Sequence, residues 1–175
     1  MNQNDITSLL PAHFDDHSRV WIYQSSRPFN EQQEKEIDEQ LLQFTSQWNA
    51  HGAPVKGWGK LLFGRFVVLM ADETQEAVSG CSTDSSVRVI KSIEKQYDCN
   101  LFDRLSITFL VKGKAEVLPM NQVQYALDKG YIQADTLLFN NLVSTKKEMC
   151  SHWLQALNES WLAPRLNFSA QPNTL

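Results

Sequence analysis

Apolar residues recur along this chain with two periods, one near 3.6 residues and one of two or fewer. Ile37, Leu41, Phe44 and Trp48 follow one another at steps of four, three and four, which places them on one stripe of a helix over 31–50. Asn30 with Gln33 three residues on supplies both halves of a capping box at its start. A second stripe of Val89, Ile90, Ile93 and Tyr97 predicts a helix over 83–97, capped by Ser82 or Thr83. Met149, Trp153, Leu154, Leu157 and Trp161 form a third stripe behind another capping box, Thr145 with Glu148. Asn121 can cap a short helix that ends near Gly130.

The strands read differently. "RVWIYQSS" (19–26) is rich in β-branched and aromatic residues, with Val20, Ile22 and Gln24 on one face. Residues 66–71 are continuously apolar, as expected of a central strand buried on both faces. Gly64 interrupts the run before it and predicts a bulge or hairpin turn. "RLSITFLV" (104–111) and "AEVLP" (115–119) flank Gly113 as a hairpin. "HGAPVKGWGK" (51–60) carries three Gly and one Pro and reads as a loop.

This order of elements favours an α+β fold built on a single mixed sheet with helices packed on it. An α/β sandwich or a ferredoxin-like arrangement would satisfy it. Residues 1–18 read as an N-terminal arm or short leading helix, 19–165 as one domain, and 166–175 as a flexible polar tail.

Composition narrows the setting. At 175 residues, 42% of them hydrophobic and 21% charged, the chain has the make-up of one globular domain. A net charge of −4, with Lys146-Lys147 the only adjacent basic pair, argues against a nucleic-acid partner. No apolar run approaches the roughly 20 residues of a membrane span, and the N-terminus does not read as a secretory signal. Three cysteines, Cys81, Cys99 and Cys150, make no disulfide framework, so a reduced cytoplasmic setting is expected. His13, His17 and His152 lack acidic or thiol partners at ligand spacing, and the one-residue gap from Cys150 to His152 suits a helix face poorly. We therefore expect no metal site and no cofactor, while a homo-oligomer is compatible with the sequence.

Four separated stretches, "WNAHG" (48–52), "GRFVVLMADE" (64–73), "SGCSTDSSV" (79–87) and "FDRL" (102–105), together resemble a small bacterial family of uncharacterised proteins. The resemblance runs from about Trp21 to Trp161. Members of that family are often labelled "ABC transporter ATPase", with no established activity behind the label. "VVLMADE" (67–73) is similar to a Walker B strand, with Asp72 for Mg²⁺ and Glu73 for water. A P-loop, however, needs Gly-x4-Gly-Lys-Ser/Thr, and here Trp58 follows the correctly spaced Gly52 and Gly57. "VSGCS" (78–82) only faintly echoes a signature helix and lies on the wrong side of the Walker B stretch. The ATPase reading is rejected; Asp72-Glu73 then reads as a strand end entering an acidic loop.

The chemistry-bearing residues cluster around Cys81. Helix N-termini carry unpaired N–H groups and a positive dipole end, which attract anions and favour thiolates. Gly80 permits close approach, Ser82, Thr83 and Ser85 offer hydroxyl donors, and Arg88 or Arg65 offers charge. The leading expectation is a small anionic ligand bound at this helix start. Arg104 either helps to hold that anion or pairs with Asp103. A second expectation is a thiol enzyme, with Cys81 as nucleophile, His51 as base and Asp72 as orienter. Against both stands a packing role for Cys81, and for His51 a place at a helix end. A third expectation rests on Trp58, which sits between two glycines in a predicted loop and would line a pocket or form a protein-interaction surface.

Overall fold

The computed structural model describes residues 3–74 and 77–168. Strand β5 (Phe66–Asp72) is buried at every position. Its unbroken apolar run supplies two faces, and both are covered. β1 (Arg19–Gln24) and β4 (Lys56–Leu62) flank it antiparallel, with Arg19 opposite Ala71 and Leu62 opposite Phe66. Val67 and Leu69 pack with Ile37 and Leu41 of α2 (Glu31–Ser46) and Ile90 and Ile93 of α3 (Gly80–Tyr97). Phe66, Val68 and Met70 join Phe139, Met149 and Trp153 on the other side.

The helices start where side chains can replace missing backbone partners. Asn30 and Gln33 form the expected reciprocal capping box of α2. α3 is capped one turn earlier than expected, by Ser79, whose hydroxyl accepts from Ser82 N–H while Ser82 Oγ accepts from Ser79 N–H at 2.7 Å. The Tyr97 hydroxyl donates to Glu36 at 2.8 Å and joins the two helices. Burial and that carboxylate push the phenol up to about 12.

The fold class is α+β, but the sheet is not single and not mixed. Two-residue strands β2 (Asn49–Ala50) and β3 (Ala53–Pro54) form a separate hairpin. The order β7–β6–β8–β9 describes a third sheet, made of β6 (Ser106–Val111), β7 (Lys114–Pro119), β8 (Leu137–Phe139) and β9 (Leu154–Ala156). All pairings are antiparallel. Arg19 of β1 forms an isolated bridge with Thr145, which lies outside both larger sheets. Among the described residues no strand of the third sheet pairs with β1: the chain turns at 140–143, where Val143 N–H donates to Asn140 O, and meets β1 only beyond the turn, where Ser144 O accepts from Val20 N–H.

Two further expectations are corrected. The predicted loop 51–60 is strand from Lys56 onward. Its glycines face α2: a Cβ on Gly57 would lie 2.8 Å from the Trp48 ring, and one on Gly59 would lie 3.1 Å from Leu41 Cβ. Trp58 points to the opposite face and packs against the core. The stripe from Met149 to Trp161 is not one helix. α5 (Lys146–His152) stops, and Leu154–Ala156 pairs with β8, because Asn140 N–H takes the Trp153 carbonyl at 2.6 Å.

At the N-terminus, α1 (Gln3–Leu9) buries Ile6, and Leu10 and Phe14 join it in the core. The remaining helix, α4 (Val123–Asp128), ends before Gly130, whose φ of 71° suits glycine. Leu166 and Phe168 pack against the cluster around Phe109 and Leu127. The expected tail beyond Phe168 lies outside the described residues. Among those described, no helix is long and apolar enough to cross a membrane, and no three His, Cys, Asp or Glu are grouped to hold a metal.

Candidate functional site

Separation of the two larger sheets leaves a cleft of about 350 Å³ between them. One wall is the free edge of β1. The other walls are residues 101–107 leading into β6 and residues 139–143 following β8. Its size is that of a small-ligand site.

The floor is polar and bonded into a relay. Trp153 Nε1 donates to Asn141 Oδ1 at 3.1 Å, Asn141 Nδ2 to Gln24 Oε1 at 3.1 Å, and Gln24 Nε2 to Ser106 O at 3.3 Å. Every amide is thereby held in one orientation. The sides are apolar: Tyr23 stacks edge-on against Phe102 with centroids 5.3 Å apart, and Phe139 and Trp161 complete the lining. Two large apolar side chains on the lining are exposed, Phe102 at 37% and Leu142 at 70%. Exposed apolar surface gathered round a concavity marks a binding site more often than scattered residues do.

Charge at the mouth is unbalanced. Asp103 is occupied, accepting from Leu105 N–H at 2.8 Å and from the Ser106 hydroxyl at 2.7 Å. Arg104 is exposed, and among the described residues no ion pair or hydrogen bond engages its guanidinium. It is the only cation in the lining. Burial pushes the Tyr23 phenol up, opposed by the charge of Arg104. Among the described residues no hydrogen bond reaches the Tyr23 hydroxyl.

Of the residues predicted from the sequence, Arg104 alone lies here. Cys81, Ser85 and Arg88 meet elsewhere, in a shallow depression at the start of α3 with Phe44, Gln47, Trp48 and Asn49. Cys81 is exposed there. The hydroxyls expected to cradle an anion point the other way. Ser82 and Thr83 donate to Ser79 O at 2.9 and 3.0 Å, and Ser85 donates to Ser82 O at 2.7 Å. Backbone carbonyls one turn back lie within hydrogen-bond distance, so the helix engages these donors itself. A Cβ on Gly80 would meet nothing within 4 Å.

The proposed thiol constellation is not assembled. His51 sits at the tip of the β2–β3 hairpin with φ 51°, followed by Gly52 at φ 86°, a type I′ turn. It is exposed and makes no hydrogen bond to a described residue. Asp72 is 3% exposed and occupied by Lys56, Thr74 and the Asp15 N–H. Arg65 is buried beside the opposite end of β5, donating to Ala115 O at 3.1 Å and Ser25 O at 3.0 Å. Trp58 contributes to the core.

Sequence reading missed Tyr23, Gln24 and Asn141. Gln24 carried a signal, since it is the one polar residue on the Val20–Ile22 face and is 5% exposed. Nothing local marks Asn141. The chain matches none of the protein-family models, curated proteins or solved structures with which it was compared.

Proposed function

We propose that this protein binds a small ligand with an anionic group beside an apolar body, in the cleft between β1 and the β6–β8 sheet. One observation carries the reading: Arg104, the sole cation of the lining, has no partner among the described residues and stands beside apolar walls and a fixed polar floor. The anion pairs with Arg104 at the mouth, and the apolar body lies against Phe102, Leu142 and Trp161. An anionic ligand was also the expectation from the sequence, at a different place.

A suitable probe is 8-anilinonaphthalene-1-sulfonate, an apolar ring system with one anionic group. Fluorescence titration should give a single saturable site. Arg104→Ala, at an exposed position, should weaken it about tenfold, the effect of losing one charge-assisted contact. Absence of saturable binding, or equal affinity for the variant, would sink the reading.

A second reading concerns the depression at α3, where the exposed thiol of Cys81 lies with Arg88. It supports modification of Cys81 by an anionic electrophile, with Arg88 as the attracting charge. Iodoacetate reacting faster than iodoacetamide, relative to their ratio on free cysteine, would support it. An unchanged ratio in Arg88→Ala would remove it.

A further inference from the structure

The free edge of β1 adds an observation independent of Arg104. Along a strand, successive residues point their N–H and C=O groups to opposite sides. Ser25 N–H donates to Arg65 O across the sheet, so the odd-numbered residues of β1 bond to β5. Val20 N–H donates outward to Ser144 O at 2.8 Å, and Ser26 N–H outward to Asn100 O at 2.9 Å. Between those two closures lie Val20 C=O and both backbone groups of Ile22 and Gln24. Among the described residues none of these has a hydrogen-bond partner. They face the cleft.

Exposed strand edges are templates for another chain and are normally blocked by charge, proline or a bulge. β1 carries none of these between Val20 and Gln24. Its edge is instead recessed and closed at both ends. From Val20 to Ser26 the strand rises about 20 Å, and the closures leave room for roughly three or four residues of a partner strand.

We propose that the occupant of the cleft is a short extended peptide segment with an acidic side chain, added to β1 as a fourth strand of its sheet. This deepens the cleft reading above and rests on it. The Ile22 and Gln24 edge supplies main-chain hydrogen bonds, which are blind to sequence, and Arg104 selects a carboxylate. Phe102 and Leu142 cover the apolar side chains that alternate with it. A second copy of this chain fits poorly, because its own β1 edge is equally walled in.

The test uses acetylated, amidated tripeptides with a central glutamate flanked by valine or threonine, competing against the bound dye. In two further sets, alternate backbone nitrogens are methylated, at odd positions in one and at even positions in the other. Only one set removes N–H groups that face β1. The proposal expects the parent peptides to displace the dye. One methylated set should lose tenfold or more, and the other should retain its affinity. Replacing glutamate by glutamine should weaken binding to the native protein and make no difference to Arg104→Ala. If both methylated sets bind like the parent, side chains alone hold the peptide and no strand is added. If the dye binds and no peptide competes, the cleft reading stands and the peptide proposal falls. If the dye itself does not bind, both fall. Sedimentation velocity covers the remaining occupant: a dimer broken by Leu142→Asp would make the partner a second copy and overturn the proposal.

Discussion

Asn141 Nδ2 donates to Gln24 Oε1 across 3.1 Å, tying residues 117 positions apart at the floor of the cleft. Trp153 orients Asn141 from one side, and Gln24 passes the relay on to Ser106 O. Gln24→Leu, of similar volume, would leave the Asn141 amide and the Ser106 carbonyl without those partners. The expected loss is about 1–3 kcal/mol, the cost of unpaired buried polar groups. It should appear as a lower urea midpoint at unchanged slope. A midpoint equal to the native one would show that solvent already satisfies these groups.

The Asp72 carboxyl should make the protein sensitive to acid. Burial pushes it up, but Lys56 at 2.5 Å, the Thr74 hydroxyl and amide and the Asp15 N–H outweigh burial and hold it well below the usual carboxylate range. With the folded value depressed, the unfolded chain binds more protons in acid. The stabilisation is therefore complete above the unfolded value near pH 4 and drains as pH falls towards the folded one. Lys56→Met should cost about 1–2 kcal/mol at neutral pH, discounted because Lys56 is partly exposed. The gap between variant and native protein should narrow steadily below about pH 4. A gap independent of pH would assign the cost to lost packing of Lys56 over the Phe14 ring, 4.9 Å away.

Gly57 should not accept a methyl group. Its missing Cβ lies against the Trp48 ring, which is pinned by a 2.9 Å bond from Nε1 to Ser82 O. Gly57→Ala should cost about 1–3 kcal/mol by overpacking and shift the tryptophan emission. Unchanged thermal stability would mean that α2 moves away freely.

Cys81 should be alkylated first of the three thiols. It is exposed, whereas Cys99 and Cys150 are half-buried against core clusters, and burial pushes the Cys99 thiol up. Iodoacetamide at neutral pH should label one cysteine in a fast phase that Cys81→Ser abolishes. Equal rates at all three positions would contradict the packing.

The elements readable from sequence are those whose cause lies within a few residues. The capping box of α2 and its stripe from Ile37 to Phe44 are contacts three and four residues apart; the helix expected over 31–50 stops at Ser46, and Trp48 lies beyond its end, packed with Ala50 and Val55. The run at 66–71 demanded two covered faces and found them. The Gly113 hairpin followed from a turn and its two neighbours. Misreadings arose where a distant partner chose between local alternatives. Gly57 and Gly59 signal a loop by themselves and become strand because α2 packs against them. Trp153 to Trp161 keeps helical spacing yet yields Leu154–Ala156 to β8, because ladder bonds and the Asn140 contact satisfy the backbone there. Ser82, Thr83 and Ser85 looked like ligand donors because composition cannot show which carbonyl lies nearest. Arg104 was legible only as a charge that either holds an anion or pairs with Asp103, and its cleft was not legible. That cleft exists because, among the described residues, no strand of the other sheet pairs with the edge of β1 and Gln24 meets Asn141 across more than a hundred residues, distances at which neighbouring side chains leave no trace in the local pattern.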